Sequence, residues 1–324
     1  MDVTDNIVVL DAYVSNAGDM HWDALQRLAP CQMWDRTAPS EVVERAAQAT
    51  IVLTNKVCID EPFMAQLPHL RYIGVMATGY NIVDVAAACR RGIVVTNVPA
   101  YSTASVAQLT IAHLLNISCQ VHHYALESRQ GVWSRNPDFS YVNTAVIEMA
   151  GKTLGIVGLG QIGSAVARIA LAMGMRVQAL TSKSPQTLAT MGVTAAPSLQ
   201  HLLATSDVVS LHCPLTAANR HMIDAAALAC MKPTAILLNT SRGPLVDEAA
   251  LAHALRTGGI MAAGIDVMEQ EPPRLDNELL QLPNCYVTPH IGWATTEARQ
   301  RMMDIIVANV AAFLSGHPIN VLIN

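Results

Sequence analysis

The sequence predicts an α/β protein built from two parallel-sheet domains. Three observations carry this. Short apolar runs alternate with helix-like stretches over the first hundred residues, the pattern of parallel strands joined by crossover helices. A second series of the same kind begins near Lys152, after an irregular stretch. The chain has 324 residues, 52% hydrophobic and only 14% charged, which suits two buried cores and speaks against disorder.

Residues 6–12 (NIVVLDA), 49–55 (ATIVLTN), 70–78 (LRYIGVMAT) and 93–99 (IVVTNVP) read as strands. Helices are expected over 20–28 (MHWDALQRL) and 81–92 (NIVDVAAACRRG), the second ending on a glycine. Residues 102–126 form one long helical pattern that opens on serine and threonine, both good N-caps. The following SRQGVWSRNPDFSYVNT is expected to be irregular. The second series runs through KTLGIV, RVQAL, VVSLHCP, AILLNTS and MAAGIDVM. TTEARQRMMDIIVANVAAFLSG then predicts a single amphipathic helix.

Composition narrows the function classes. The net charge is −5 and no basic run of five or more occurs, so no nucleic-acid partner is expected. The start, MDVTDNIVVLDAYV, lacks the basic residues and apolar core of a secretory leader. No apolar run approaches the roughly 18 residues of a membrane span. Seven scattered cysteines without a CxxC pair read as reduced thiols of a cytoplasmic protein, with no metal site.

The stretch LGIVGLGQIGSAVARIALAMG sets Gly158, Gly160 and Gly163 in GxGxxG spacing, between an apolar strand and an Ala-rich helix. In that context the glycines predict a dinucleotide site. Gly158 allows the tight turn, Gly160 lets the backbone approach a pyrophosphate, and Gly163 lets helix and strand pack closely. The amides of Gln161 and Ile162 then face the phosphates at a helix N-terminus.

With this loop, VSLHCPLT (209–216), NTSRGPLVDEAAL (239–251), AAGIDVMEQEPP (262–273) and NCYVTPHIGWAT (284–295) resemble the D-isomer-specific 2-hydroxyacid dehydrogenases over nearly the whole chain. NVPAYSTASVAQ (97–108) and PHIGWAT (289–295) look most like the glycerate dehydrogenase / hydroxypyruvate (glyoxylate) reductase branch. The resemblance implies two doubly wound domains. A flavodoxin-like substrate domain comes from residues 1–99 plus 293–324. A Rossmann cofactor domain is inserted at 100–292, with 101–150 as a homodimer arm. The implied activity is reduction of hydroxypyruvate or glyoxylate to D-glycerate or glycolate by NAD(P)H.

Reducing a 2-keto acid requires that its carboxylate be held, its carbonyl polarised and a proton delivered. Arg242, in TSRG, suits the first two tasks, because a guanidinium binds carboxylate bidentately and stays charged. His290, in TPHIGWAT, matches the family's acid/base and can exchange a proton near neutral pH. Glu271, directly before the proline in MEQEPP, matches the carboxylate that holds that histidine charged. Glu269 is expected to be a solvated acid. MATGYN (76–81) matches the loop whose amides bind the substrate carboxylate, with Thr78 and Gly79 as contacts. The resemblance also places His212, Cys213, Pro214, Thr216, Asn219, Thr240, Ser241 and Gly292 along the cofactor, and Trp293 near the substrate. His212 is equally readable as a packed histidine. Asp266, in GIDV, either orients the nicotinamide end or caps a turn.

The family usually carries an acid after the second strand of the cofactor domain, where it holds the adenosine ribose and repels a 2′-phosphate. Here that position is Thr181, followed by Ser182, Lys183 and Ser184. Hydroxyls and a cation suit a phosphate, so NADP is the expected cofactor, with NAD possible. D-lactate and phosphoglycerate dehydrogenases stay open as alternatives. A phosphorylated substrate calls for a cluster of cations that the sequence does not display, and no further regulatory domain is expected after Asn324. Formate dehydrogenases of this fold would carry glutamine where Glu271 stands. From another class, the C-terminal-binding-protein corepressors use the same fold and a similar triad as a nucleotide-sensing platform.

Overall fold

The computed structural model describes residues 4–16 and 18–322. It divides into two compact units, Met1–Ser102 with Ala294–Asn324, and Thr103–Trp293. In the first unit, β1 (Ile7–Val9), β2 (Cys31–Met33), β3 (Ile51–Thr54), β4 (Tyr72–Val75) and β5 (Val94–Thr96) form one parallel sheet. Its order is β2-β1-β3-β4-β5, the flavodoxin-like arrangement. β1, β3 and β4 are buried along their whole length. This is why they read as unbroken apolar runs rather than as alternating patterns. The helix Thr296–Leu314 packs on this sheet, bringing Phe313 against Tyr72 with ring centroids 4.7 Å apart.

The second unit holds seven parallel strands, β6 (Thr153–Val157), β7 (Arg176–Leu180), β8 (Val193–Ala195), β9 (Val208–Leu211), β10 (Ile236–Asn239), β11 (Ala262–Ile265) and β12 (Cys285–Val287). The order is β12-β11-β10-β9-β6-β7-β8. This is the Rossmann order with one strand added at an edge, and the chain reverses its direction of travel across the sheet between β6 and β9. Ligands of open parallel sheets bind outside the carboxyl ends of the strands at such a reversal.

Two readings of local structure change. The helical pattern of 102–126 is broken into Thr103–Cys119 and Val121–Arg129 by Gln120, which is left-handed at φ 54°. The break is satisfied by one local and one distant donor. Gln120 Nε2 donates to the Ile117 carbonyl at 2.9 Å, and the Ile147 amide donates to the Ser118 carbonyl at 2.8 Å. Helix also continues past Leu126 to Arg129, with a single 3₁₀ turn at Trp133–Arg135. The reading of strands passes over β2 and β8. Both lie at sheet edges, are three residues long and are partly exposed, so neither leaves an apolar run to detect.

Candidate active site

Six of the seven strands of the second unit end in a segment that carries expected site residues. Gly158 follows β6, Thr181 follows β7, His212 follows β9, Thr240 follows β10, Asp266 follows β11 and the segment of His290 follows β12. Because the strands are parallel, all these segments leave the same edge of the sheet.

The glycine loop has the geometry its spacing implies. Gly158 is left-handed at φ 92°, and a Cβ there would lie 2.7 Å from the Cys213 nitrogen and 2.8 Å from the His212 carbonyl carbon. Both neighbours are backbone, so only glycine fits. A Cβ on Gly163 would overlap the Gly158 carbonyl oxygen. Gly160 is exposed, and a Cβ there would meet nothing within 4 Å. Gly160 caps helix Gln161–Ala172 without a side-chain hydrogen bond, so the first amides of the helix stay open. An exposed, uncapped helix start beside a bare backbone fits a pyrophosphate.

The Gly158 amide donates to the Leu180 carbonyl at 3.0 Å, which seats the end of β7 beside the loop. Thr181, Ser182 and Lys183 follow directly. Thr181 Oγ1 accepts from the Lys183 amide at 3.3 Å. Ser184 is an N-cap, its Oγ accepting from the Thr187 amide at 3.2 Å at the start of helix Pro185–Thr190.

On the other side of the reversal, the side chains mostly close turns. Asn219 Oδ1 accepts from the Thr216 amide at 2.7 Å, while its Nδ2 donates to the Pro214 carbonyl at 2.8 Å. Ser241 Oγ donates to the Cys213 carbonyl at 2.7 Å, tying the β9 and β10 segments together. Thr240 shares a 2.8 Å hydrogen bond with Thr110. His212 Nε2 lies 2.8 Å from Ser210 Oγ. The residue keeps some exposed surface, but its ring is enclosed, and desolvation drives the imidazole pKa down to about 4. His212 is therefore a neutral, packed side chain in a loop that abuts Gly158.

Arg242 stands on a turn built by Asn239, whose Oδ1 accepts from the Ser241 amide at 3.1 Å and whose Nδ2 donates to the Arg242 carbonyl at 2.9 Å. Arg242 Nη1 donates to the Ser241 carbonyl at 2.7 Å. Among the described residues the guanidinium has no acidic partner, so it is available to a carboxylate.

Glu271 and His290 meet. His290 Nδ1 lies 2.7 Å from Glu271 Oε2, and Glu271 Oε1 accepts from the Met268 amide at 3.0 Å. The carboxylate makes Nδ1 the proton-bearing nitrogen and leaves Nε2 to exchange a proton with a ligand. His290 is held at φ 54°, a left-handed conformation rare for a side chain of this size.

Asp266 explains how that conformation is maintained. It is 2% exposed, and its oxygens accept from the Ile291 amide (2.9 Å), the Gly292 amide (2.9 Å) and the Thr288 hydroxyl (2.6 Å). Thr288 Oγ1 in turn accepts from His113 Nε2 at 3.0 Å. His113 is buried, and desolvation pulls its pKa down although Asp266 opposes the shift. Of the two readings of Asp266, the turn-capping one is visible in this geometry. The sequence reading missed Thr288 and His113 as partners, because they meet across 175 positions with no local motif, and it missed Asn239, whose contacts to Ser241 and Arg242 are local.

Glu269 is exposed, as expected of a solvated acid, and its carboxylate is also paired. Its Oε1 accepts from Arg220 Nη2 at 2.8 Å and lies 2.5 Å from His221 Nε2. Trp293 is the last residue of this unit and is half-buried. Thr78 and Gly79 belong to the first unit, just beyond β4. Thr78 Oγ1 donates to the Val98 carbonyl at 2.7 Å, and the Thr78 carbonyl accepts from Asn97 Nδ2 at 2.7 Å. Beneath that loop, buried Asp11 accepts from the amides of Asn55 (2.8 Å) and Lys56 (2.6 Å), and Asn55 Nδ2 donates to the Met76 carbonyl at 2.8 Å. Among the described residues, no group of three or more His, Cys, Asp or Glu is placed to hold a metal ion, and no helix is long and apolar enough to cross a membrane.

Comparison with known proteins agrees with the geometry. The family described as D-isomer specific 2-hydroxyacid dehydrogenase, NAD binding domain, matches residues 111–292. The chain is 44% identical to a hydroxypyruvate reductase of Blautia hydrogenotrophica, over 97% of this chain and 98% of that protein. It is 42% identical to a glycerate dehydrogenase of Methylorubrum extorquens, over 87% and 88% of the two chains. Among solved structures, the TT0316 protein from Thermus thermophilus superposes with a TM-score of 0.87 at 34% identity, covering 98% of this chain and 100% of the other. A Rossmann unit with an open glycine loop and a carboxylate–histidine pair at its strand ends, on a chain with these relatives, belongs to the D-isomer-specific 2-hydroxyacid dehydrogenases, a family of NAD(P)-dependent oxidoreductases.

Proposed function

We propose that this dehydrogenase reduces hydroxypyruvate to D-glycerate, with glyoxylate as a second substrate giving glycolate. The observation that carries the mechanism is the 2.7 Å contact between His290 Nδ1 and Glu271. Arg242, without an acidic partner among the described residues, binds the substrate carboxylate and polarises the adjacent carbonyl. Thr78 and Gly79 are assigned to the same carboxylate, and Trp293 to the substrate. His290 Nε2 gives its proton to the C2 oxygen as that oxygen gains charge, and Glu271 stabilises the imidazolium before the transfer. When bound, the nicotinamide cofactor supplies the hydride to C2. Gly158–Gly163 hold its pyrophosphate, and the segments after β9 and β10 flank it. The branch assignment rests on the hydroxypyruvate reductase and glycerate dehydrogenase relatives.

We further infer a preference for NADP. Thr181, Ser182 and Lys183 follow β7 beside the glycine loop, with no acid among them to repel a 2′-phosphate. A homodimer through residues 101–150 is part of the same reading. Phe139 and Val142 are 91% and 76% exposed there, and Trp133 is exposed too, more apolar surface than a free segment of this length should present to water. Seven free cysteines support a reducing, cytoplasmic setting.

A steady-state panel of hydroxypyruvate, glyoxylate and pyruvate, each with NADH and NADPH, tests the substrate and cofactor assignments together. The highest kcat/KM is expected for hydroxypyruvate with NADPH. Preference for pyruvate would move the chain to the D-lactate alternative, and preference for NADH would overturn the reading of Thr181–Lys183.

A further inference from the structure

Two glutamates two residues apart, Glu269 and Glu271, each contact a histidine in the left-handed region. Glu271 contacts His290 (φ 54°) and Glu269 contacts His221 (φ 53°). Only the first pair belongs to the proposed chemistry. The second is half-exposed, and an ion pair in such a position adds little stability. A left-handed non-glycine residue meanwhile costs on the order of 1 kcal/mol. Stability therefore does not account for the second pair.

Its surroundings give another account. The His221 amide donates to the Pro244 carbonyl at 2.8 Å, which pins His221 to the turn that follows Arg242. Gly243 in that turn lies flat against the Met268–Glu269 backbone, where a Cβ would overlap Met268. Arg220 Nη2 reaches the same Glu269 oxygen as His221. On the far side, the Glu269 amide donates to Glu248 Oε1 at 2.6 Å, and Glu248 Oε2 accepts from Asn277 Nδ2 at 2.7 Å. The segment 268–271 is thus fastened through its middle. Its Met268 amide and its Glu271 carboxylate bond each other and present Oε2 to His290.

We propose that Glu269, held by His221 and Arg220, is a positioning residue that fixes the Met268–Glu271 segment and thereby the Glu271–His290 contact. This rests on the reading of Glu271 and His290 as the proton-transfer pair. The charged groups around Glu269 are Arg220, His221, Glu248 and Glu271. Those around His290 are Glu271 and, through the Ile291 and Gly292 amides, Asp266. Loosening the segment draws Glu271 away from His290 and breaks the hydrogen bond that orients the ring through Nδ1.

The test is the NMR signal of the His290 Nδ1 proton, which reports its hydrogen bond to Glu271, in the whole protein at one pH, assigned with a His290→Gln variant, in wild type, Glu269→Ala, His221→Asn and the double variant. Asparagine at 221 tolerates the left-handed backbone. Glu269→Gln, which keeps an acceptor for Arg220, serves if Glu269→Ala fails to fold. Each single change is expected to cost that signal, by an upfield shift or by exchange broadening, and the double change to cost no more than the stronger single one, because the two act as one contact. The kcat for keto-acid reduction should fall in step, with the KM for nucleotide unchanged. An unchanged Nδ1 proton signal in a folded Glu269 variant, or losses that simply add, would overturn the proposal. The signal needs no substrate, so wild-type protein inactive on every keto acid would count against the functional reading and leave this test standing.

Discussion

The two turns to which the proposed chemistry is assigned are shaped by opposite means. At the glycine loop the backbone takes its course because atoms are missing. Gly158 and Gly163 leave no room for a Cβ, and Gly160 leaves a space open. At the 288–292 turn the backbone takes its course because one buried carboxylate, Asp266, collects three donors and holds His290 left-handed. The first turn is steric and local. The second is electrostatic and spans 26 positions. The difference teaches where each should fail: the loop when volume is added, the turn when a charge or an acceptor is removed.

The sharpest way to break the comparison is Asp266→Asn. Asparagine keeps the volume and one acceptor but turns an NH₂ toward amides that also donate, so a buried N–H loses its partner. We expect a loss of about 1–3 kcal/mol of stability. With the His290 turn displaced, kcat should drop on the order of 10²-fold, within the range general acid–base catalysis supplies. Nucleotide affinity should stay within a few-fold. Melting curves, steady-state kinetics and nucleotide titration together check this, and a kcat near wild type would show that Asp266 does not hold the turn.

Gly158→Ala should do the reverse. The added methyl meets the 212–213 backbone in a left-handed residue, a strain of about 1–3 kcal/mol. Fluorescence titration should show nucleotide binding weakened roughly tenfold, as about 1.4 kcal/mol of that strain would produce, while the His290 Nδ1 proton signal is unchanged. Equal damage to both readouts would mean that the two turns are not separate.

The smallest effect is in pH dependence. His212 has its pKa depressed to about 4 in the folded protein, against an ordinary value near 6.5 when unfolded. Between these values the unfolded chain binds the extra proton, so stability is lost as pH falls below about 6.5. His113, also depressed, adds in the same direction. From pH 6.5 to pH 5, His212 alone should contribute a loss of about 1.5 kcal/mol. Denaturant melts at the two pH values should show this in wild type and a flatter response in His212→Gln. Equal slopes would mean that the imidazole is not desolvated.

The same contrast explains what the sequence disclosed. Steric devices leave a local signature, so GxGxxG between a strand and a helix announced the tight glycine turn, and the buried strands β1, β3 and β4 announced themselves as apolar runs. Arg242, Glu271 and His290 were legible only through resemblance, since nothing in TSRG, QEPP or TPHI reveals that residues 271 and 290 meet. The partners that fix them were invisible. Asp266 looked as much like a cofactor contact as a cap, nothing local paired the exposed Glu269 with Arg220 and His221, and Thr288 and His113 lie 175 positions apart. Long-range hydrogen bonds leave no period and no spacing. The helix break at Gln120 was hidden for the same reason, because the amide that satisfies it comes from Ile147.

The central claim is that His290, oriented by Glu271, passes the proton while the glycine loop independently holds the nucleotide. The direct measurement is His290→Ala, with hydroxypyruvate reduction and NADPH binding followed on the same preparation. The account predicts that kcat falls by at least about 10³-fold, the loss of a general acid, with the nucleotide Kd unchanged. Turnover at the wild-type rate with NADPH still bound would contradict it.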